Sequence, residues 1–251
     1  GNRATGWGET PLSVTWVWPS SMSYDSRHGV MKNFCVRLAR EWTRFDGRGH
    51  PIEVGNDFNK HALPKLLQEV NQSRIGMEPL PWLGALVCNS LFDIALHDAY
   101  GRLVKRPIYS TYNEEFMSRT LADLVKPATG TEVDFKGLYP NDFVTRKPAS
   151  QRLRAWHLVG GVDKLTRDEA SADDPADGYP VFLPDWIEVD GLKCLKIKLR
   201  GNDAAWDYDR LVRIGEIAVA TRVEWLTADF NCTVTNPEYV NEILDRLCLE
   251  Q

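Results

Sequence analysis

The segment LKCLKIKL at residues 192–199 alternates apolar and basic side chains, and VEWLTADFN follows at residues 223–231. Side chains two residues apart on a β-strand point to the same side. Lys196 and Lys198 therefore share one side of the first segment, as do the aspartate and asparagine of the second. Their neighbours are mostly apolar, which suits the buried strands of a parallel sheet. We expect two ammonium groups and a carboxylate to meet at one end of this sheet.

The residues between these two segments predict a parallel connection. Asn202 or Asp203 can cap a helix that begins near Ala204, and apolar side chains then follow at roughly helical spacing. Strand, helix and strand together span about the ~30 residues of a βαβ unit. A further helix is expected after the second strand, with Asn236 as its cap and Pro237 at its first position. Functional groups of such repeating β/α segments lie at the carboxyl ends of the strands.

The part of the chain before residue 110 is predicted to be helical. Apolar side chains recur at helical spacing over residues 28–45, 57–72 and 80–103. In the second of these segments, Pro64 is expected to disturb the middle of the helix.

Residues 152–159 are predicted to form an earlier strand, closed by the glycines that follow it. The acidic residues 167–184 are interpreted as a surface insertion, because runs of charge are usually solvated. A metal-binding acidic loop is the less favoured alternative for that segment.

Composition restricts the classes of function. The 251 residues, 43% of them hydrophobic, can build one large domain or two smaller ones. A net charge of −5 without a basic cluster argues against nucleic acid as a partner, and no apolar run is long enough to span a membrane. The five cysteines are scattered and odd in number, so we expect free thiols in a reducing, cytoplasmic compartment.

Four motifs occur in one order along the chain. They are G-x-G-E at residues 6–9, NSLFDIALHDAYG at residues 89–101 with RPIY at 106–109, K-x-K at 196–198 and D-x-N at 229–231. Together they resemble the enolase superfamily, in its mandelate racemase and muconate lactonizing enzyme branch. The resemblance implies an α/β chain with an α+β capping domain at residues 1–110 and the first part of a (β/α) TIM-type barrel at residues 111–251.

The chain departs from the family pattern at both ends. Family members have strands before the G-x-G-E motif and five further barrel strands after the D-x-N helix. Those later strands carry the remaining metal ligands and usually an acid or base opposite the K-x-K motif. We therefore expect the sequence to be an internal portion or a truncated form of a larger enzyme.

The resemblance also implies a chemistry. Family members remove the proton next to a carboxylate, and a divalent ion, normally Mg²⁺, stabilises the additional negative charge. By this resemblance Lys198 is the catalytic base, and Lys196 is a catalytic and substrate-binding residue that stabilises the substrate carboxylate. Asp229 would bind the metal, and Asn231 would hydrogen-bond near Asp229 or the substrate. A small-molecule carboxylate substrate and a homo-oligomer are the implied partners.

Several alternatives stay open. The enzyme would be an isomerase or lyase: a sugar-acid dehydratase, which we favour slightly, a racemase or epimerase, or a cycloisomerase. A catalytically silent homologue, or a truncated form that binds a ligand or partner without turnover, is the alternative of a different class. Lysines alternating on a strand often form a solvated face, and Asp229 could simply cap a turn. Glu9 is interpreted as structural, and the histidines are too, with His157 the first to inspect.

Overall fold

The computed structural model describes residues 2–144 and 153–249. They belong to two compact units, of which the first extends to Lys147 and the second begins at Pro148. The first unit is helical, and the second combines helices with a three-stranded parallel sheet. The prediction of an α/β chain is confirmed at this level. The finer assignment to a capping domain and a barrel stays a prediction.

The helices of the first unit follow the predicted apolar periodicity. Helix α2, Tyr24–Arg44, is capped by the Ser23 side chain, which accepts the Ser26 N–H. It therefore begins four residues before the predicted segment 28–45. The predicted helix 80–103 corresponds to α5, Trp82–Val104. The six α-helices of the described part of this unit are α1 Val14–Val17, α2 Tyr24–Arg44, α3 Pro51–Asp57, α4 Leu63–Gln72, α5 Trp82–Val104 and α6 Leu121–Leu124.

The predicted helix at residues 57–72 is part of a longer helical segment that contains a π-helical turn. This turn, Phe58–Ala62, joins α3 to α4, and the Leu63 N–H bonds to the carbonyl of Phe58, five residues back. Pro64 follows directly and has no N–H to donate to the carbonyl four residues before it. The disturbance expected from Pro64 is therefore observed, but it lies in the turn that precedes the proline.

The core of the first unit lies between α2, α4 and α5. The Trp42 ring stacks on Phe58 with centroids 3.9 Å apart and an interplanar angle of 6°. The largest fully buried side chains of this core are Trp18, Met31, Phe34, Leu38, Phe58, Leu63 and Leu80. Burying each of them contributes on the order of 1.5–3 kcal/mol, so this unit has a substantial core of its own.

Gly6 and Gly8 allow the N-terminal segment to lie against the backbone of α5. Residues 2–13, which hold the G-x-G-E motif, contain no helix or strand. A Cβ atom on Gly6 would lie 2.0 Å from the carbonyl oxygen of Ala95, and one on Gly8 would lie 2.1 Å from that of Leu91. Both distances are far below van der Waals contact, so these positions require glycine because of space.

Glu53 fastens a later loop to α3. Its carboxylate is fully buried. It accepts hydrogen bonds from the backbone N–H groups of Ser118 at 2.7 Å, Arg119 at 2.6 Å and His50 at 3.0 Å. The Arg119 guanidinium also forms a bidentate pair with Asp57. These bonds explain why the first unit continues beyond residue 110. The division into domains at residue 110 rests on the family resemblance and stays a prediction.

The second unit is built on a sheet of three parallel strands, which lie side by side in chain order. The strands are β1 His157–Val159, β2 Cys194–Lys198 and β3 Trp225–Asp229, and the helices are α7 Leu183–Asp190, α8 Ala204–Thr221 and α9 Glu238–Leu247. The predicted parallel connection and the Asp203 cap of α8, which accepts the Trp206 N–H, are confirmed. Residue 152 of the predicted first strand lies outside the described residues.

Two predictions about helices in the second unit need correction. Pro237 is the N-cap residue of α9 and not its first helical residue, and the Asn236 side chain accepts the Glu238 N–H. Helix α7 was not predicted, and it overlaps the last residues of the segment interpreted as a surface insertion. A proline in its first turn makes a helix compatible with that sequence.

One face of β2 supplies the core of the second unit. Leu195, Ile197 and Leu199 are buried together with Ile187 of α7 and Ile214 of α8. The opposite face carries the two lysines. The expected burial is observed for β2 but not for β3, whose first four residues are exposed in the described structure. Strand β3 pairs only with β2 among the described residues, so its outer edge and sides remain open.

Candidate functional site

The predicted site residues converge at the carboxyl ends of β2 and β3. The register pairs Lys196 with Thr227 and Lys198 with Asp229. Because paired residues of neighbouring strands point to the same face, both lysines and the aspartate lie on the side of the sheet away from its apolar core. The sequence predicted that the two lysines and Asp229 meet, because side chains two residues apart on a strand share one face. The structure brings these three side chains together.

Both ammonium groups bind the same carboxylate oxygen. The Nζ of Lys196 lies 2.8 Å from Oδ2 of Asp229, and the Nζ of Lys198 lies 2.7 Å from it. Lys198 also donates a hydrogen bond to Oδ1 of Asn231. The side chains of Lys198 and Asp229 are about three-quarters shielded from solvent, at 28% and 26% exposure. The Lys196 side chain is 44% exposed, so the two lysines form a connected polar cluster on a partly solvated face.

Asn231 reaches the cluster because the backbone after β3 turns sharply. Asn231 and Cys232 have φ angles of 53° and 60°, and asparagine tolerates this left-handed conformation better than most residues. The Asn231 N–H donates to Oδ1 of Asp229 at 2.9 Å, and its side-chain amide donates to the carbonyl of Leu199 at 3.0 Å. Asn231 is thus fixed to both strands.

The electrostatics of the cluster act most strongly on Asp229. Hydrogen bonds from Lys196 and then Lys198, together with the Asn231 N–H, hold the pKa of the Asp229 carboxyl well below its usual range. A lowered folded-state pKa means that the ionised carboxylate stabilises the fold. The stabilisation is present above the pKa of an unfolded aspartate, about 3.9, and it is lost as pH falls towards the lowered value.

We therefore predict that Asp229→Asn destabilises the second unit in a pH-dependent way. The loss should be about 1 kcal/mol near neutral pH, as for partly exposed ion pairs, and should shrink below about pH 4, where Asp229 takes up a proton in the unfolded chain while the folded carboxyl is still ionised. Denaturant unfolding of both proteins between acidic and neutral pH measures this difference. Glu224→Gln, which removes an exposed ion pair with Arg154, is the matched control. A loss of equal size at all pH values would contradict the assigned role of the charge.

An open pocket of about 540 Å³ lies beside the cluster. Its lining includes Lys198 and Asn231 of the cluster, and also Arg200, Asn202 and Trp206. The Arg200 guanidinium lies 4.1 Å from the centre of the Trp206 ring, and Nη1 bonds to Asp203 at 3.0 Å. The sequence analysis missed Arg200, although it continues the alternation of Lys196 and Lys198 by one more step of two residues.

Asp207 holds the turn that carries Arg200. This aspartate is fully buried. Its carboxylate accepts hydrogen bonds from the backbone N–H groups of Arg200 at 2.7 Å and Gly201 at 2.8 Å, and from the Tyr239 hydroxyl at 2.7 Å. Burial, and then the contact with Asp207, raise the pKa of Tyr239 to about 12. The turn after β2 is therefore tied to α8 and α9.

The cluster offers a divalent cation one carboxylate ligand, Asp229. The Asp229 carboxylate has the oxygen chemistry that Mg²⁺ prefers. Across residues 2–144 and 153–249, however, no group of three or more histidine, cysteine, aspartate or glutamate side chains is placed to hold a metal ion. In the acidic segment 167–184, Asp174 pairs with Lys164 and Glu169 pairs with Arg213. That alternative metal site therefore gains no support.

The remaining candidates lie elsewhere. Glu9 is exposed in the first unit. His157 lies on β1, with its ring centroid 5.4 Å from that of Trp186. These two rings line a separate pocket of about 390 Å³.

Comparison with protein-family models, with curated proteins and with solved structures finds no match for this chain. Within the described residues, no helix combines the length and the apolar character needed to cross a membrane.

Proposed function

We propose that this chain belongs to a Mg²⁺-dependent enzyme that removes the α-proton of a carboxylate substrate, as enolase-superfamily enzymes do. In this proposal residues 111–251 are the first part of a (β/α) barrel and residues 1–110 form an α+β capping domain. One observation carries the proposal: the Lys198 ammonium contacts Asp229 and Asn231 at the carboxyl ends of two parallel strands. Active sites of β/α folds are built at such strand ends.

The proposed roles follow from the charges. Removal of an α-proton places a second negative charge on the substrate carboxylate, so the reaction requires a base near the carbon and positive charge near the oxygens. Lys198 is the proposed base. Lys196 is proposed to stabilise the substrate carboxylate, and the Asn231 side chain to orient it. The pocket beside Lys198 has room for a small acid, and Arg200 adds positive charge at its edge.

The contact between Lys198 and Asp229 sets a condition on this chemistry. An amine accepts a proton only in its neutral form, and a neighbouring carboxylate favours the ammonium form. Lys198 must therefore separate from Asp229 before it can act as a base. A divalent cation bound by Asp229 would supply positive charge to the substrate oxygens. The proposal requires further cation ligands besides those among the described residues.

The central experiment is exchange of the substrate α-proton with deuterated water. Sugar acids and other α-substituted carboxylates are incubated with Mg²⁺ and the enzyme to which this chain is proposed to belong, and deuterium incorporation is followed by NMR. We expect exchange, and we expect Lys198→Ala to slow it by about 10²–10⁴-fold, the usual contribution of a general base. Removal of Mg²⁺ with a chelator should stop it. The products of reactive acids would distinguish dehydration from racemisation and cycloisomerisation.

Two further variants control this experiment. Lys198→Arg keeps a positive charge for Asp229, but a guanidinium is always protonated and cannot act as a base, so exchange should be lost while stability is retained. Lys193→Ala removes an exposed lysine that precedes β2, and it should leave exchange unchanged. Exchange that survives in both Lys198 variants would refute the assignment of the base.

A second candidate function is ligand binding without turnover. It is favoured by one observation: both lysines already pair with Asp229, the only carboxylate bonded to them in the described structure. In that case the binding of a carboxylate would shift the NMR signals of Lys198 and Asn231. The α-carbon of the bound carboxylate would take up no deuterium. The exchange experiment therefore separates the two functions.

A further inference from the structure

Two of the five cysteines lie next to each other in the first unit. Cys35 lies on α2 and Cys88 on α5, and these two helices pack against each other. All five cysteines are free thiols. Cys88 is completely buried, whereas Cys35 is partly exposed at the edge of the same apolar core.

The backbone of α2 shows that the two thiols are close in space. The Sγ of Cys88 lies 3.7 Å from the carbonyl oxygen of Met31. In an α-helix that carbonyl accepts the N–H of the residue four positions later, which is Cys35. The Cys88 sulfur thus lies beside the turn of α2 that carries Cys35, where the two helices pack against each other.

We propose that Cys35 and Cys88 form an oxidation site, at which a peroxide converts the two thiols into a reversible disulfide between α2 and α5. This site lies in the first unit, so the proposal is independent of the function proposed for the lysine cluster.

The environments of the two cysteines assign their roles. Contact with Cys88 lowers the pKa of the Cys35 thiol. Contact with Cys35, and then burial, raise the pKa of Cys88. Because the thiolate is the reactive form, Cys35 is the thiol that attacks first, and it is also the one that solvent can reach. Cys88 remains protonated beside it as the resolving thiol.

The chemistry balances with hydrogen peroxide as the oxidant. The Cys35 thiolate attacks one peroxide oxygen, an S–O bond forms, the O–O bond breaks, and the leaving hydroxide takes a proton to become water. The Cys88 sulfur then attacks the Cys35 sulfur, the S–S bond forms and the S–O bond breaks. The Cys88 proton leaves with the hydroxide as a second water. The two thiols lose two electrons, and the peroxide gains them.

The test uses the intact chain and hydrogen peroxide. After brief oxidation, remaining thiols are alkylated, the protein is digested without reductant, and peptides are identified by mass spectrometry. We expect a linked pair of peptides containing Cys35 and Cys88, which disappears when dithiothreitol is added before alkylation. Free-thiol titration should fall by two thiols per chain.

Matched variants make the assignment specific. Cys35→Ser should abolish the link and leave Cys88 unalkylated in the folded chain, while Cys232→Ser, which removes an exposed cysteine, should leave the link intact. The result from the unaltered chain stands even if Cys35→Ser folds poorly. Oxidation of Cys35 to sulfinic acid without a link, or a predominant link to Cys232 or Cys248, would overturn the proposal.

Discussion

Replacing Glu53 with alanine should destabilise the first unit by about 3 kcal/mol or more. The change removes a buried carboxylate and leaves the N–H groups of His50, Ser118 and Arg119 without their acceptor. Each buried donor left unsatisfied costs on the order of 1–3 kcal/mol, partly relieved where water can enter. Denaturant unfolding followed by circular dichroism measures the total loss.

The location of that loss provides the sharper test. Hydrogen exchange should accelerate in residues 113–124, because Glu53 is what holds the Ser118 and Arg119 N–H groups. Glu69→Ala removes an exposed glutamate from α4 and should change neither measurement. If residues 113–124 kept their protection in Glu53→Ala, the loop would be held by other contacts and this account of the first unit would be wrong.

Asp207→Ala should have an effect of similar size on the second unit. It removes the acceptor of the Arg200 and Gly201 N–H groups and of the Tyr239 hydroxyl. We expect a destabilisation of about 3 kcal/mol. Because the released turn follows Lys198 directly, we also expect NMR signals of Lys198 and Arg200 to move. Such shifts would show that the contacts of Asp207 stabilise the unit and also position the residues of the candidate site.

One variant on α8 and one on α9 provide the controls for this prediction. Asp209→Ala removes an exposed aspartate two residues further along α8 and should be nearly neutral. Tyr239→Phe removes only the hydroxyl donor, so it should cost less than Asp207→Ala. An equal loss in Asp209→Ala would show that the helix charge, and not the buried acceptor, is what matters.

The parts of the fold that could be predicted from sequence are those with a local pattern. The alternation of Lys196 and Lys198 has a period of two residues, and the cap at Asp203 lies directly before its helix. Such signals are contained in a few neighbouring residues, and the structure follows them. The site geometry beyond that alternation required the turn at Asn231, whose positive φ angle has no strong sequence signal.

The features that sequence analysis missed depend on distant contacts. Glu53 and Ser118 are separated by 65 residues, and no spacing rule connects them. Asp207 and Tyr239 are likewise separated by 32 residues. Helix α7 has only eight residues, too short for a clear helical periodicity. The exposure of β3 could not be predicted, since its apolar sequence is typical of a strand covered on both sides.

The approach of Gly6 and Gly8 to α5 has a consequence for which sequences this fold accepts. Backbone atoms of α5 contact the N-terminal segment at these two glycines. The Cβ atom of any other residue would collide with them, whatever the polarity of its side chain. Trp7 between the two glycines is 76% exposed, and its backbone N–H bonds to Asp98. In a randomised library selected for folded protein, positions 6 and 8 would therefore stay invariant while position 7 drifts freely.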